Sequence, residues 1–302
     1  MTPSSSGALT ISDGRLALSG LLILVNVGLS AALRLGLSRS LLLASVRMVV
    51  QLLLVGFVLE WLFRQDDAPL IVLVGAAMAL IAGVSAVQRT RQRFAGIYLN
   101  SLLSVMASSA LVTGLAVTGL IQPQPWYNPQ YLIPLLGMVL GNTLNGLSLG
   151  LDRFMEGLRS GRDQVETDLA LGATRWEACR AVVRDAIRVA MIPTINSMMV
   201  MGLVSLPGMM TGQILQGAAP AAAVRYQIVI LFMIASATAL GVFAVVGLAY
   251  GRLTSADHQL RLDRLVKVGG QAEWRPAGAF LSWRRRGRSQ EMALGKNNGQ
   301  QD

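Results

Sequence analysis

The chain has 302 residues, 53% of them hydrophobic and only 14% charged, with a mean hydropathy of +0.53. Soluble globular proteins carry about 25% charged residues, so a soluble enzyme is excluded as the leading class and an integral membrane protein is indicated. The net charge of +10 would suit a nucleic-acid binder, but arginine supplies almost all of it and is confined to particular segments, so no nucleic-acid partner is expected.

A helix crossing the hydrocarbon core needs about 20 mostly apolar residues. In chain order such stretches fall at 15–34, 41–63, 69–87, 97–121, 130–151, 187–209 and 224–250. The expected fold is therefore an all-α integral membrane protein of about seven transmembrane helices. Residues 1–12 contain no Lys or Arg, so the first stretch is read as a retained span rather than a signal peptide. Residues 1–13 form a short extracytoplasmic segment, 14–251 the membrane domain, and 252–302 a basic, disordered cytoplasmic tail.

Orientation follows from the loops, because short cytoplasmic loops retain Lys and Arg. Loop 1–2 holds Arg34 and Arg39, loop 3–4 holds Arg89, Arg91 and Arg93, and loop 5–6 holds seven arginines from Arg153 to Arg188. The alternate loops carry only Arg64 and Arg225. The N-terminus is thus expected outside and the C-terminus in the cytoplasm, in a cell inner (plasma) membrane.

Several polar residues lie within the spans. Arg47 and Gln51 are four apart, hence on one face of span two. They mark either a pathway or interface, or an arginine snorkelling to the nearby cytoplasmic surface. Span five carries Asn142, Asn145 and Ser148 at every third residue, beside the small-residue pairs Gly137/Gly141 and Gly146/Gly150 that allow close helix approach. The asparagines suit interhelical hydrogen bonds or a lined cavity. Span six and its end carry Asn196, Met198, Met199, Met209 and Met210. Thioethers serve equally as flexible packing and as soft ligands. Pro193 and Pro207 are expected to interrupt this helix, and broken helices in membranes border a cavity or protein contact.

Loop 5–6, residues 152–187, is not a random linker. Phe154, Leu158, Val165, Leu169, Gly172, Trp176, Cys179 and Val183 follow the steps of an amphipathic helix. Gly172 suits a left-handed helix end, and Thr174 with Glu177 has capping-box spacing. A cytoplasmic helix–turn–helix between spans five and six is expected. Cys179, the only cysteine, excludes a disulfide framework and is read as a small half-buried residue. His258, the only histidine, is read as solvated.

The stretch Asp168-Leu-Ala-Leu-Gly172-Ala-Thr-Arg-Trp-Glu-Ala, followed by Ile192-Pro193, resembles the coupling-loop motif of ABC-transporter permeases. More widely, Ile133-Pro-Leu-Leu-Gly-Met, Leu-Gly-Asn142-Thr-Leu-Asn-Gly-Leu-Ser-Leu-Gly-Leu-Asp152-Arg-Phe, Ile195-Asn-Ser-Met-Met, and Gly202-Leu-Val-Ser-Leu-Pro-Gly-Met-Met-Thr-Gly-Gln213-Ile-Leu resemble the Fet-type iron-export permeases. Plant relatives of these are the aluminium-sensitivity transporters. The resemblance covers residues 10–251. It implies a permease subunit, paired with a second copy, that exports iron or another metal ion. Its energy would come from ATP-Mg bound by a separate ABC ATP-binding subunit. Asp168, Leu169, Gly172, Thr174, Arg175, Trp176 and Glu177 would form the docking element. Arg47, Gln51, Asn142, Asn145, Asn196, Met198, Met199, Met209, Met210 and Gln213 are candidates for the translocation path, with no metal-ligand set assigned. The alternatives are a non-metal solute such as a nucleotide sugar, or a non-transporting assembly subunit. Neither Lys267 nor Lys296 sits in a Gly-x-x-x-x-Gly-Lys-Ser/Thr phosphate loop, so no cofactor is expected on this chain. No catalytic residue is expected either.

Overall fold

The computed structural model of the chain describes residues 12–65, 67–255 and 257–267. The chain divides into a unit of residues 1–266 and a second of 267–302. The expectations of an extracytoplasmic segment over residues 1–11 and of a disordered tail from 268 onward lie outside the described residues.

The helices are α1 (Asp13–Ala32), α2 (Ser38–Leu62), α3 (Ala68–Gln88), α4 (Ile97–Leu115), α5 (Pro129–Ser160), α6 (Arg162–Ala170), α7 (Arg175–Val200), α8 (Gly208–Leu215) and α9 (Pro220–Leu253). A π-helical turn, Ala116–Ile121, extends α4. Among the described residues, six helices are long and apolar enough to cross a membrane: α1, α2, α3, α4 with its π turn, α5 and α9. The protein is an all-α integral membrane protein.

Several helix starts follow from local chemistry. Pro129 occupies the first turn of α5, where its missing N–H costs nothing, and the Asn128 side chain accepts from Gln130 N–H at 3.0 Å. Buried serines of α4 satisfy themselves on the preceding turn, as Ser104 does on Asn100 O at 2.8 Å. Ser101 instead donates across to Gly83 O of α3 at 2.8 Å, where the two backbones meet closely.

Helix α5 is the hub, packed against α3, α4, α7 and α9. In lipid there is no hydrophobic drive between helices, so small residues and close packing hold them together. A Cβ on Gly146 would stand 2.5 Å from Thr238 Cγ2, and one on Gly157 would stand 2.7 Å from Val182 Cγ1. Gly150 lies against Ala190, Val242 and Val246. These contacts make α9 parallel to α5 and α7 antiparallel to it. The other pair differs, because a Cβ on Gly141 would meet nothing within 4 Å. Leu147, Leu151, Phe154 and Leu158 of α5 are fully buried in the resulting core.

The sixth crossing departs from expectation. A single helix over 187–209 is replaced by α7, a break at 201–207, and α8. Pro193 does not interrupt α7, which continues to Val200. One missing N–H inside a packed helix is tolerated. The break falls at Gly202, with φ +84, and at Pro207, which precedes α8. Arg175, Glu177, Arg180, Arg184 and Asp185 crowd the first half of α7, with Arg188 just beyond, so the helix lacks a full apolar span.

Loop 152–187 is also built differently from a free-standing loop. At about 1.5 Å per residue, the 32 residues of α5 reach about 48 Å, well beyond a hydrocarbon core of about 30 Å. Much of the loop is thus the overhang of α5 and α7, with α6 between them. Residues 257–266, expected in the solvated tail, fold back instead, and Leu260, Leu262 and Leu265 pack on the core.

Candidate functional site: a polar cleft and a docking turn

Two regions bring the candidate residues together. The first is a cleft of about 200 Å³ between α5, α7 and α9, to which Asn142, Asn145, Thr194, Ser197, Met198 and Gln227 contribute. Asn142 Nδ2 donates back to Met138 O at 2.9 Å, and Asn145 Oδ1 accepts from Arg89 Nη1 at 2.5 Å. The last contact ties the end of α3 to a cleft-lining side chain of α5. Gln227 is buried, and its Oε1 has no hydrogen-bond partner. Buried amide oxygens are normally paired, and among the described residues this one is an exception on the cleft wall. Pro193 lines the same cleft.

A second cavity of about 650 Å³ lies further along α5, between it, α8 and α9, and includes Tyr131, Met138, Met209, Gln213 and Tyr226. Seen along α5, the two cavities follow one another, with the 201–207 break between α7 and α8 beside them.

The sequence-derived candidates divide accordingly. Asn142, Asn145 and Met198 line the first cleft, and Met209 and Gln213 line the second cavity. Met210 is buried. Asn196 and Met199 are exposed on α7, outside both linings. Arg47 and Gln51 lie exposed on α2 and are in neither cavity, because α2 packs chiefly with α1. Sequence reasoning missed Thr194, Ser197 and Gln227. The available signal was a glutamine within the apolar run 223–235 of α9.

The second region is the turn between α6 and α7. Gly172 has φ +94, a conformation that a side chain opposes, and its N–H closes the end of α6 on Leu169 O at 3.1 Å. Thr174 then starts α7 with a full capping box, in which Thr174 N–H donates to Glu177 Oε2 at 2.8 Å and Thr174 Oγ1 accepts from Glu177 N–H at 3.3 Å. The hydrogen bonds from Thr174, side chain first and backbone second, hold the Glu177 carboxyl below its ordinary range. Leu171 is 82% exposed and Trp176 49% exposed. Asp168 and Leu169 complete the end of α6, where Asp168 O accepts from Ala173 N–H at 3.0 Å. Cys179, one turn further, is fully buried, and burial pushes its thiol up to about 11. His258 is not merely solvated, since its Nδ1 accepts the Arg175 N–H at 2.9 Å.

The bundle therefore belongs to the class of multi-pass membrane proteins with a polar cleft inside and a rigid, partly apolar turn beyond one end of the bundle. Its family is defined by sequence. Residues 14–254 match the model described as "Uncharacterised protein family (UPF0014)", and the chain belongs to that family. It is 43% identical over 226 residues to the UPF0014 membrane protein slr1647 of Synechocystis sp., covering 75% of this chain and 87% of that one. It is 33% identical over 258 residues to the "Probable iron export permease protein FetB" of Escherichia coli, covering 85% and 98% respectively. It is 32% identical over 239 residues to "Protein ALUMINUM SENSITIVE 3" of Arabidopsis thaliana, covering 79% and 86%. No solved structure matches the chain.

Proposed function

We propose that this chain is the membrane-spanning permease subunit of an ABC transporter, exporting iron or another metal ion with energy from ATP hydrolysis in a separate ATP-binding subunit. The observation that carries the reading is the α6–α7 turn. Its two ends are fixed by the Gly172 turn and the Thr174–Glu177 box, yet it exposes Leu171 and Trp176 to a partner. The iron-export name of the Escherichia coli relative, aligned over most of both chains, supports the cargo.

In this reading the overhang of α5 and α7 is a lever. Closure of the ATP-binding subunits pushes the turn, and α7 carries the motion to Thr194, Ser197 and Met198 in the cleft. The break at 201–207 lets α7 move without dragging α8 rigidly with it. ATP-Mg belongs to the partner. Asn196 is exposed on α7 outside the cleft lining, where a polar group facing lipid is costly. A second copy of the chain covering that face, with water between, resolves the cost and makes the permease a homodimer. The arginine distribution favours an N-terminus outside and a C-terminus in the cytoplasm of the inner membrane.

The amides and hydroxyls of the cleft also favour a second reading, a non-metal solute recognised by hydrogen bonds. Proteoliposomes containing the chain and its ATP-binding subunit separate the two. ATP-driven movement of ferrous ion supports the first. ATP hydrolysis that responds to the permease without moving any metal ion supports the second, and hydrolysis indifferent to the permease refutes both.

A further inference from the structure

After α9 the chain closes into a hook. Thr254 pairs with Leu260 in an antiparallel bridge, Ser255 N–H donates to Gln259 O at 2.9 Å, and Arg261 N–H donates to Leu253 O at 2.9 Å. Leu260 and Leu262 pack on the cluster that contains Cys179 and Val183 of α7. His258 lies within the hook with φ +55, a region that Gly enters freely and Asn, Asp and His enter more often than other residues. Residues 255–261 lie beyond the part of the chain that the family model matches.

The hook meets the first residues of α7. The Arg175 N–H is one of the donors that a helix start leaves without an internal partner, and His258 Nδ1 accepts it at 2.9 Å. The Arg175 side chain donates to Ser255 O at 3.3 Å and lies over the Tyr250 ring at 5.8 Å. Trp176 meets the same ring edge-on, with centroids 5.8 Å apart. Arg175 and Trp176 are thus tied both to the end of α9 and to the hook that follows it. The other end of α9 carries Gln227 into the cleft, about 35 Å away along a continuous helix.

We propose that His258 is a positioning residue for energy coupling, fastening the start of α7 to the end of α9 so that a push on the α6–α7 turn moves both helices together. This rests on the reading that the turn docks an ATP-driven partner. Without the strut, a push on the turn reaches α9 only through the ring contacts at Tyr250 and the packing of the two helices, and Gln227 on the facing wall of the cleft follows it less completely. The acceptor is the essential feature of His258, rather than the shape of the turn it makes.

Two substitutions separate those roles. His258→Gly suits φ +55 best but has no acceptor. His258→Asn also tolerates φ +55 and places Oδ1 the same number of bonds from the backbone as Nδ1. The full-length chain is purified in detergent, and hydrogen–deuterium exchange is followed over residues 174–179. The same variants are then reconstituted with the ATP-binding subunit that purifies with the wild-type chain, and ATP hydrolysis is measured. His258→Gly should raise exchange about five- to tenfold, the scale of one lost hydrogen bond, and abolish most of the permease-dependent hydrolysis. His258→Asn should stay within about twofold of wild type in both. Wild-type behaviour of His258→Gly in either assay overturns the proposal, as does a His258→Asn variant as impaired as His258→Gly. If the wild-type chain itself leaves hydrolysis unchanged, the proposed function fails and the coupling role with it, while exchange still reports whether the strut exists.

Discussion

Gly146→Ala tests the contact on which the helical hub depends. The added Cβ would lie 2.5 Å from Thr238 Cγ2, 3.3 Å from Val242 Cγ2 and 3.7 Å from Ala190 O. Carbon atoms pack favourably at about 3.5–4 Å, so α5 and α9 must part by about 1 Å or Thr238 must leave its place. Overpacking of this kind costs about 1–3 kcal/mol, which for a domain of this size lowers Tm by roughly 2–10 °C. Size-exclusion chromatography of the heated, detergent-solubilised protein measures the shift. Gly141→Ala is the control, because its Cβ meets nothing within 4 Å, and Tm should hold or rise slightly. Thr238→Ala removes the obstructing methyl, and the Thr238 Oγ1 that it also removes has no hydrogen-bond partner. The double variant Gly146→Ala/Thr238→Ala should therefore recover most of the loss. A Gly146→Ala protein as stable as wild type, or a double variant no better than the single one, would refute the close α5–α9 contact.

Three further expectations concern the turn and the helix that follows it. Gly172→Val, at φ +94 with open space around it, meets backbone strain of about 1–2 kcal/mol rather than a clash. It should insert normally yet abolish permease-stimulated ATP hydrolysis, and normal stimulation would contradict the docking role. The Glu177 carboxyl is held below its ordinary range, so its contribution is complete above the pKa of an unfolded glutamate and disappears as pH falls through the lowered folded value. The Tm difference between wild type and Glu177→Gln should accordingly be largest near neutrality and close in acid, and a pH-independent difference would exclude the capping carboxylate as its source. Cys179, buried with its thiol pushed up to about 11, should react slowly with N-ethylmaleimide at pH 7.5 until the protein is denatured in SDS. Rapid labelling of the folded protein would show that α7 does not pack as described.

Much of the bundle is legible in hydropathy alone, because a long apolar run has few alternatives to a spanning helix. The capping box at Thr174 and the left-handed Gly172 are equally legible, since both are local rules of a few residues. The sixth crossing is not. Five charged residues in the first half of α7 interrupt its apolar pattern, and Pro193 looks like the break although Gly202 and Pro207 make it. The asparagine face of α5 can be read from helical periodicity, but what stands opposite it depends on which helices pack there and how they are rotated. For that reason Thr194, Ser197 and Gln227 cannot be picked out from the sequence, while Arg47 and Gln51 share one helical face but belong to α2, away from the cleft. His258 reads as solvated from sequence because its partner, Arg175, lies far away in the chain.

The most direct test is a photocross-linker at position 171, the most exposed apolar site of the α6–α7 turn, in the purified complex with its ATP-binding subunit. The expected result is a covalent adduct to that subunit whose yield changes between ATP-bound and nucleotide-free states. An intact complex that gives no adduct at 171, while the same probe at the exposed Arg91 of the α3–α4 loop cross-links to the ATP-binding subunit, would contradict the docking turn and the mechanism built on it.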